Sequence, residues 1–242
     1  MERFVYEQMA ALDQRHWWYC ARREVIAALI RRLVRPPAGA TILEIGCGTG
    51  HNFEMLGEFG HVDALELDDE ARSIAEKRLG RGIMSAPLPE LAGVPKNHYD
   101  LIGAFDVVEH IDDHHAAIAS IATRLKPGGK FVMTVPAHQW MWSAHDTVNH
   151  HKRRYSKRSL KQLIEKSPLK LEALGYFNSL LFPVAIAERM VSKALGKDGG
   201  DLELPSARLN AALKRTFAAE RHLIGRVPLP PGLSLFAVAS AT

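Results

Sequence analysis

An apolar run, Thr41-Ile42-Leu43-Glu44-Ile45, passes without a break into Gly46-Cys47-Gly48-Thr49-Gly50. Three glycines at alternate positions directly after a strand point to a sharply turning backbone, because glycine enters the left-handed region without steric cost. In an open α/β sheet, the carboxyl end of the first strand is where a nucleotide-like ligand binds. The spacing is Gly-x-Gly-x-Gly. It is neither the Gly-x-Gly-x-x-Gly of dinucleotide sites nor a phosphate loop ending in Gly-Lys-Ser/Thr, so no pyrophosphate is indicated.

The remaining chain supports an α/β reading. Residues from about Glu2 to Leu33 carry helical apolar spacing that stops at Pro36-Pro37-Ala38-Gly39. Beyond the glycine loop, Val62–Leu67 reads as a second strand and Asp69–Leu79 as a helix. Gly82-Ile83-Met84 reads as a short third strand, Tyr99–Phe105 as a fourth, and Asp113–Leu125 as a helix. Lys126-Pro127-Gly128-Gly129 turns into a fifth strand, Lys130–Val135. Strands alternating with helices make a parallel sheet covered on both faces. After Pro136 come a loop rich in histidine and arginine to Tyr155, a helix near Ser159–Glu165 and a sixth strand, Leu169–Phe177. Residues 178–232 read as a helical insertion, and Leu233–Ala239 as a seventh strand that closes the sheet beside the sixth. The expected organisation is an N-terminal helical cap (1–37), a core (38–177), the insertion (178–232) and a final core strand (233–242).

Charge and cysteine content narrow the function. A net charge of +4 and a pI near 9.1 favour an anionic substrate or surface without by themselves indicating nucleic acid. Two cysteines, Cys20 and Cys47, give no disulfide framework, and a cytoplasmic location fits. The most apolar window, Leu180–Ala187, is too short to span a membrane, although peripheral contact stays open.

At the end of the second strand, Val62-Asp63-Ala64-Leu65-Glu66 places a carboxylate where it can accept hydrogen bonds from ribose hydroxyls. The bland alternative is a helix cap, a task better suited to Asp68 or Asp69. Three further segments follow in order: Phe105-Asp106-Val107-Val108-Glu109-His110-Ile111, then Leu125-Lys126-Pro127-Gly128-Gly129-Lys130-Phe131, after the loop Glu44–Gly50. Together these segments resemble class I S-adenosylmethionine (SAM) dependent methyltransferases. The resemblance implies a Rossmann-like, mostly parallel seven-stranded sheet with an antiparallel last strand. It implies that Gly46, Cys47, Gly48 and Gly50 approach the methionyl part of SAM, that Glu44 orders their loop and that Glu66 binds the ribose. Leu67, Phe105, Asp106, Val107 and His110 would complete the cofactor's surroundings. Ser85 and Ala86 stand where many members carry an acid facing the adenine amino group. The product would be S-adenosylhomocysteine (SAH).

The flanks resemble one bacterial branch of that family, through His16-Trp17-Trp18 with Arg22-Arg23, and His145-Asp146 with His151-Lys152-Arg153-Arg154-Tyr155. Members of this branch are similar to enzymes that modify sugars, lipids or natural products. Methyl transfer to oxygen or nitrogen needs alignment, exclusion of water and, for some acceptors, a base. His145, His110 and His151 are the candidate catalytic residues. Trp18, Trp140, His145, Asp146, His151, Arg153, Arg154 and Tyr155 are the candidate acceptor contacts, arginine offering bidentate bonds to an anionic group. His145, Asp146, His150 and His151 are acceptable ligand types in a spacing that matches no standard metal motif, so no metal is expected. The expected partner is a small-molecule, sugar- or lipid-like acceptor, with no nucleic acid, in a monomer or homodimer. Two rival readings are a SAM-binding regulatory or scaffold protein without catalysis, and an RNA methyltransferase.

Overall fold

The structure is a computed structural model and describes residues 10–195 and 204–241. Helix α1 (Trp17–Leu29) starts at His16, whose side chain accepts from the Trp18 N–H, and continues into a π-helical turn, Ile30–Val34. The core then alternates: β1 (Ala40–Ile45), α2 (Phe53–Gly57), β2 (Gly60–Leu65), α3 (Asp69–Leu79), β3 (Tyr99–Phe105), α4 (His114–Ala122) and β4 (Leu125–Pro136). Beyond it lie α5 (Ala144–Val148), α6 (Lys157–Glu165), β5 (Leu169–Phe177), α7 (Phe182–Leu195), α8 (Ala207–Ala218) and β6 (Ser234–Ala241).

The sheet order is β2-β1-β3-β4-β6-β5. The first four strands are parallel, and β6 runs antiparallel between β4 and β5. This is the expected Rossmann-like mixed sheet with an antiparallel last strand, but it has six strands rather than seven. Gly82-Ile83-Met84 forms only an isolated bridge, Leu65 to Met84. Its pairing ends where Ser85-Ala86-Pro87 begins, since proline offers no donor to a ladder. The Lys126–Gly129 turn is also real: the β3–β4 register jumps from Tyr99 opposite Leu125 to Leu101 opposite Lys130.

Period-two burial divides the core between the two faces of the sheet. Ile42, Leu101, Val132, Phe236 and Val238 join Val25, Ile26 and Leu29 of α1 and Phe217 of α8. Leu43, Ile102, Phe131, Met133 and Leu235 join Ile118 and Ile121 of α4 and Leu160 and Leu163 of α6. Strands buried on both faces read as unbroken apolar runs, which is why β1 and β3 are so conspicuous. Two local caps fix helix starts: Asp68 accepts from Glu70 and Ala71 N–H at α3, and Asp113 from Ala116 N–H at α4. No helix among the described residues is long and apolar enough to cross a membrane.

Candidate active site

The glycine loop leaves β1 with Gly46, Gly48 and Gly50 at φ of 64°, 55° and 79°. Their surroundings differ. A Cβ on Gly46 would lie 2.7 Å from Val107 Cγ2, and one on Gly50 would collide with the Phe53 ring. A Cβ on Gly48 would meet nothing within 4 Å. Gly46 and Gly50 are therefore glycines for packing, and Gly48 keeps open the face of the loop that lines a cavity of about 670 Å³. That volume lies within the range of small-molecule sites, roughly 300–1,000 Å³.

Glu66 closes the loop from β2. Its Oε2 accepts from Gly48 N–H at 2.7 Å, and its Oε1 accepts from Leu67 and Asp68 N–H at 2.8 and 2.9 Å. Three donors leave a carboxylate with acceptor capacity to spare, and Glu66 faces the cavity. Glu44 lies beneath the loop, 1% exposed, with Oε1 accepting from Asn52 Nδ2 at 2.7 Å and Oε2 buried without a partner. Burial pushes its carboxyl up to about 8, against the pull of the Asn52 bond and of Arg22. The open Cβ space at Gly48, the spare capacity of Glu66 and the cavity volume fit a nucleoside-bearing ligand such as SAM.

Arg22 reaches across from α1. Only 3% exposed, it donates to Asp106 Oδ2 at 2.7 Å and Thr134 Oγ1 at 2.6 Å and stacks its guanidinium over Trp18, 5.0 Å from the ring centroid. It ties the N-terminal helix to the carboxyl ends of β3 and β4. Asp106 turns there with φ 58°, a conformation that aspartate tolerates better than most side chains. His16, Trp17, Trp18 and Tyr19 complete this wall of the cavity.

The loop after β4 forms the opposite end. Its ends are joined by a bridge from Ala137 to Tyr155, and Lys152 N–H donates to Glu109 O at 2.9 Å. Arg153 clamps the same segment by donating to Ile111 O and Asp112 O. These bonds bring His151 against His110, ring centroids 4.8 Å apart, with His145 6.1 Å from His151. Fully buried Asp146 is the hub of the loop. It accepts from Arg154 through both oxygens at 2.7 and 2.8 Å and contacts His151 Nδ1 at 2.8 Å. Burial alone would raise its carboxyl; the bonds from His151 and Arg154 hold it well below the usual carboxylate range. The histidine–aspartate contact thus joins His151 to Asp146, rather than the sequence neighbours His145 and Asp146. Burial, with His151 nearby, depresses His110 to about 4, so its imidazole is neutral at pH 7.

Gly46, Cys47, Gly48, Glu66, Leu67, Ala86, Phe105, Asp106, Val107, His110, Trp18, His145, His151 and Arg154 all line this one cavity. The remaining expected site residues lie elsewhere. Glu44 and Gly50 support the loop from behind, and Ser85 is not part of the wall. Trp140 is 63% exposed and lies tilted against His138 and Phe182. Tyr155 is buried with its hydroxyl on His114 Nδ1 at 2.7 Å, Arg153 is committed to backbone carbonyls, and Asp146 acts through His151 and Arg154. Sequence reasoning missed Arg22, His51 and Glu109 as wall residues. His51 is pushed down to about 3, first by burial and then by Arg22, Arg23 and Arg78. The Arg22-Arg23 pair and the Glu109-His110 dipeptide just after β3 were the signals available.

The helical insertion supplies the apolar side, with Leu181, Val184, Ala185 and Leu213. It is anchored by buried Glu220, which accepts from the N–H groups of Asn178, Ser179 and Leu180 at 2.6–2.8 Å.

The family model described as a methyltransferase domain matches residues 17–174. The chain belongs to the class I SAM-dependent methyltransferase family. A Mycolicibacterium smegmatis protein, named as a probable SAM-dependent methyltransferase, is 28% identical over 172 residues, 69% of this chain and 65% of its own length. A ubiquinone biosynthesis O-methyltransferase of Xanthomonas axonopodis is 29% identical over 53% of this chain and 59% of its own length. The chain thus spans about three-fifths of the length of these two methyltransferases. Among solved structures, a chain of the complex between the Haloferax volcanii Trm112 activator and a methyltransferase matches at TM-score 0.62 and 19% identity, covering 99% of this chain and 96% of that one. Haemonchus contortus phosphoethanolamine N-methyltransferase 2, solved with SAM, matches at TM-score 0.58 and 18% identity, over 88% of this chain and 51% of that one.

Proposed function

We propose that this methyltransferase moves a methyl group from SAM to an oxygen or nitrogen of a small acceptor whose body is largely apolar. The observation that carries this reading is the continuity of one cavity, from the glycine loop and Glu66 at one end to His110, His145 and His151 at the other. SAM, when bound, supplies an electrophilic methyl on a sulfonium with a good leaving group. The chain's own task is then to align the acceptor and exclude water. Gly48 and Glu66 would hold the donor. Trp18, Leu181, Val184 and Leu213 would enclose the acceptor's apolar body. Arg22 and Arg154 face the cavity already paired with Asp106 and Asp146, which favours a neutral acceptor over a strongly anionic one. His151 offers the reactive nitrogen at this end, because Asp146 fixes its ring through Nδ1 and leaves only the other nitrogen to act.

Calorimetry with SAH on ligand-free protein should give micromolar binding, and its absence would sink this reading. Incubation of cell extract with deuterated SAM, followed by mass spectrometry, should label a small organosoluble molecule. No labelled product alongside intact SAH binding would favour a non-catalytic SAM-binding protein. Label in a nuclease-sensitive fraction would favour an RNA acceptor.

A further inference from the structure

We propose that Glu109, His110 and His151 form a binding site for one divalent transition-metal ion that opens into the cavity. One ligand atom from each residue lies within 4.8 Å of the other two. Tetrahedral ligation at metal–ligand distances of ~2.0–2.2 Å separates ligand atoms by about 3.4 Å, within reach of small side-chain rotations from the observed spacing.

Glu109 is the observation that points to a cation. It is 0% exposed, yet neither carboxylate oxygen has a hydrogen-bond partner, and the residue lines the cavity. A buried carboxylate is costly unless it is paired or coordinates a metal. The nearby cations are engaged: Arg22 with Asp106, and Arg154 through both oxygens of Asp146. The histidines are prepared as ligands. Asp146 contacts His151 Nδ1 at 2.8 Å, and the backbone of His150 lies beside the His110 ring. An imidazole that donates through one nitrogen presents the other as a lone pair, and a carboxylate or carbonyl behind a histidine is the usual support of a metal ligand.

Two imidazoles and one carboxylate suit Zn²⁺, Fe²⁺, Mn²⁺ or Co²⁺ better than Mg²⁺ or Ca²⁺, which prefer all-oxygen shells. Three protein ligands leave at least one position open. All three residues line the cavity, so the acceptor's oxygen or nitrogen would supply a remaining ligand. This last step rests on the methyl-transfer reading; the ion site itself does not. The ligands escape any sequence motif because Glu109-His110 and His151 meet only through the β3–β4 neighbourhood and the Lys152 and Arg153 clamps.

The test is titration of metal-stripped, full-length protein with Co²⁺, read by visible d–d absorption, followed by displacement with Zn²⁺. One equivalent per chain should bind, with the intense bands of a four- or five-coordinate centre. Glu109→Gln, His110→Gln and His151→Gln should each weaken binding at least 100-fold, and Asp146→Asn about 10–100-fold as a positioning residue. His61→Gln, at an exposed histidine outside the cavity, should bind like the parent. Circular dichroism identifies any variant that fails to fold, and the remaining ligand variants then decide. The proposal is overturned if the parent shows only weak octahedral Co²⁺ bands, or if folded ligand variants bind as tightly as the parent. SAH calorimetry on the same samples separates the two readings. SAH binding without Co²⁺ binding overturns the metal site alone, and Co²⁺ binding without SAH binding overturns the methyl-donor reading alone.

Discussion

Replacing Gly48 by valine separates ligand binding from folding, because this glycine is open on the side where a Cβ would grow. Its φ of 55° is costly for any residue with a Cβ, about 1–2 kcal/mol for leaving the right-handed region. No heavy atom lies within 4 Å of that Cβ, so the Cβ itself meets no clash in the ligand-free protein. For a chain of this size, 1 kcal/mol moves the melting temperature by about 2–4 °C, so Gly48→Val should melt roughly 2–8 °C below the parent. Its side chain would occupy space that the bound donor needs. SAH affinity should therefore fall at least about 100-fold, close to 2.7 kcal/mol. Gly46→Ala is the contrasting case. It bears a similar φ and also presses a Cβ to 2.7 Å from Val107 Cγ2, so overpacking of about 1–3 kcal/mol is added to the strain. Differential scanning fluorimetry and SAH calorimetry on both variants check the argument. Folded Gly48→Val that binds SAH within about threefold of the parent would refute the placement of the donor against this loop.

Glu44 should make the parent less stable as pH rises. Its carboxyl is raised from 4.5 to about 8, so between those values the folded state holds more protons than the unfolded one. Stability is thus full below about pH 4.5 and is lost toward pH 8, with a limiting slope of about 1.4 kcal/mol per pH unit. Urea unfolding at pH 5.5 and 7.5 should show a smaller drop in Glu44→Gln, and equal drops would contradict the assignment. Arg22→Met leaves Asp106 and Thr134 without their buried donor and should cost about 2–3 kcal/mol in urea unfolding, charge-assisted bonds being the strong ones. Glu220→Gln sets an amide N–H against one of three backbone donors and should cost about 1–3 kcal/mol, most visibly as earlier hydrogen exchange at Asn178–Leu180.

What the sequence determined by itself was local. The apolar run into Gly46-Cys47-Gly48, the acid at Glu66 and the cap at Asp68 depend on neighbours a few positions away, and helix α3 and strands β3 and β5 lie within their expected bounds. Gly82-Ile83-Met84 carries the right residue types, but its pairing stops after a single bridge before Pro87. The charged loop was legible only as composition. Adjacent His145 and Asp146 stood out as a motif, whereas the turn of α5 and the Arg154 fork direct Asp146 to His151. Arg22 and Glu109 stood in recognisable segments without a role, since the first meets Asp106 at the carboxyl end of the sheet and the second meets His151 beyond the ends of β3 and β4. Tertiary structure decided those pairings for a physical reason. A buried charge is tolerable only with a particular partner, and parallel strands bring such partners together from distant parts of the chain.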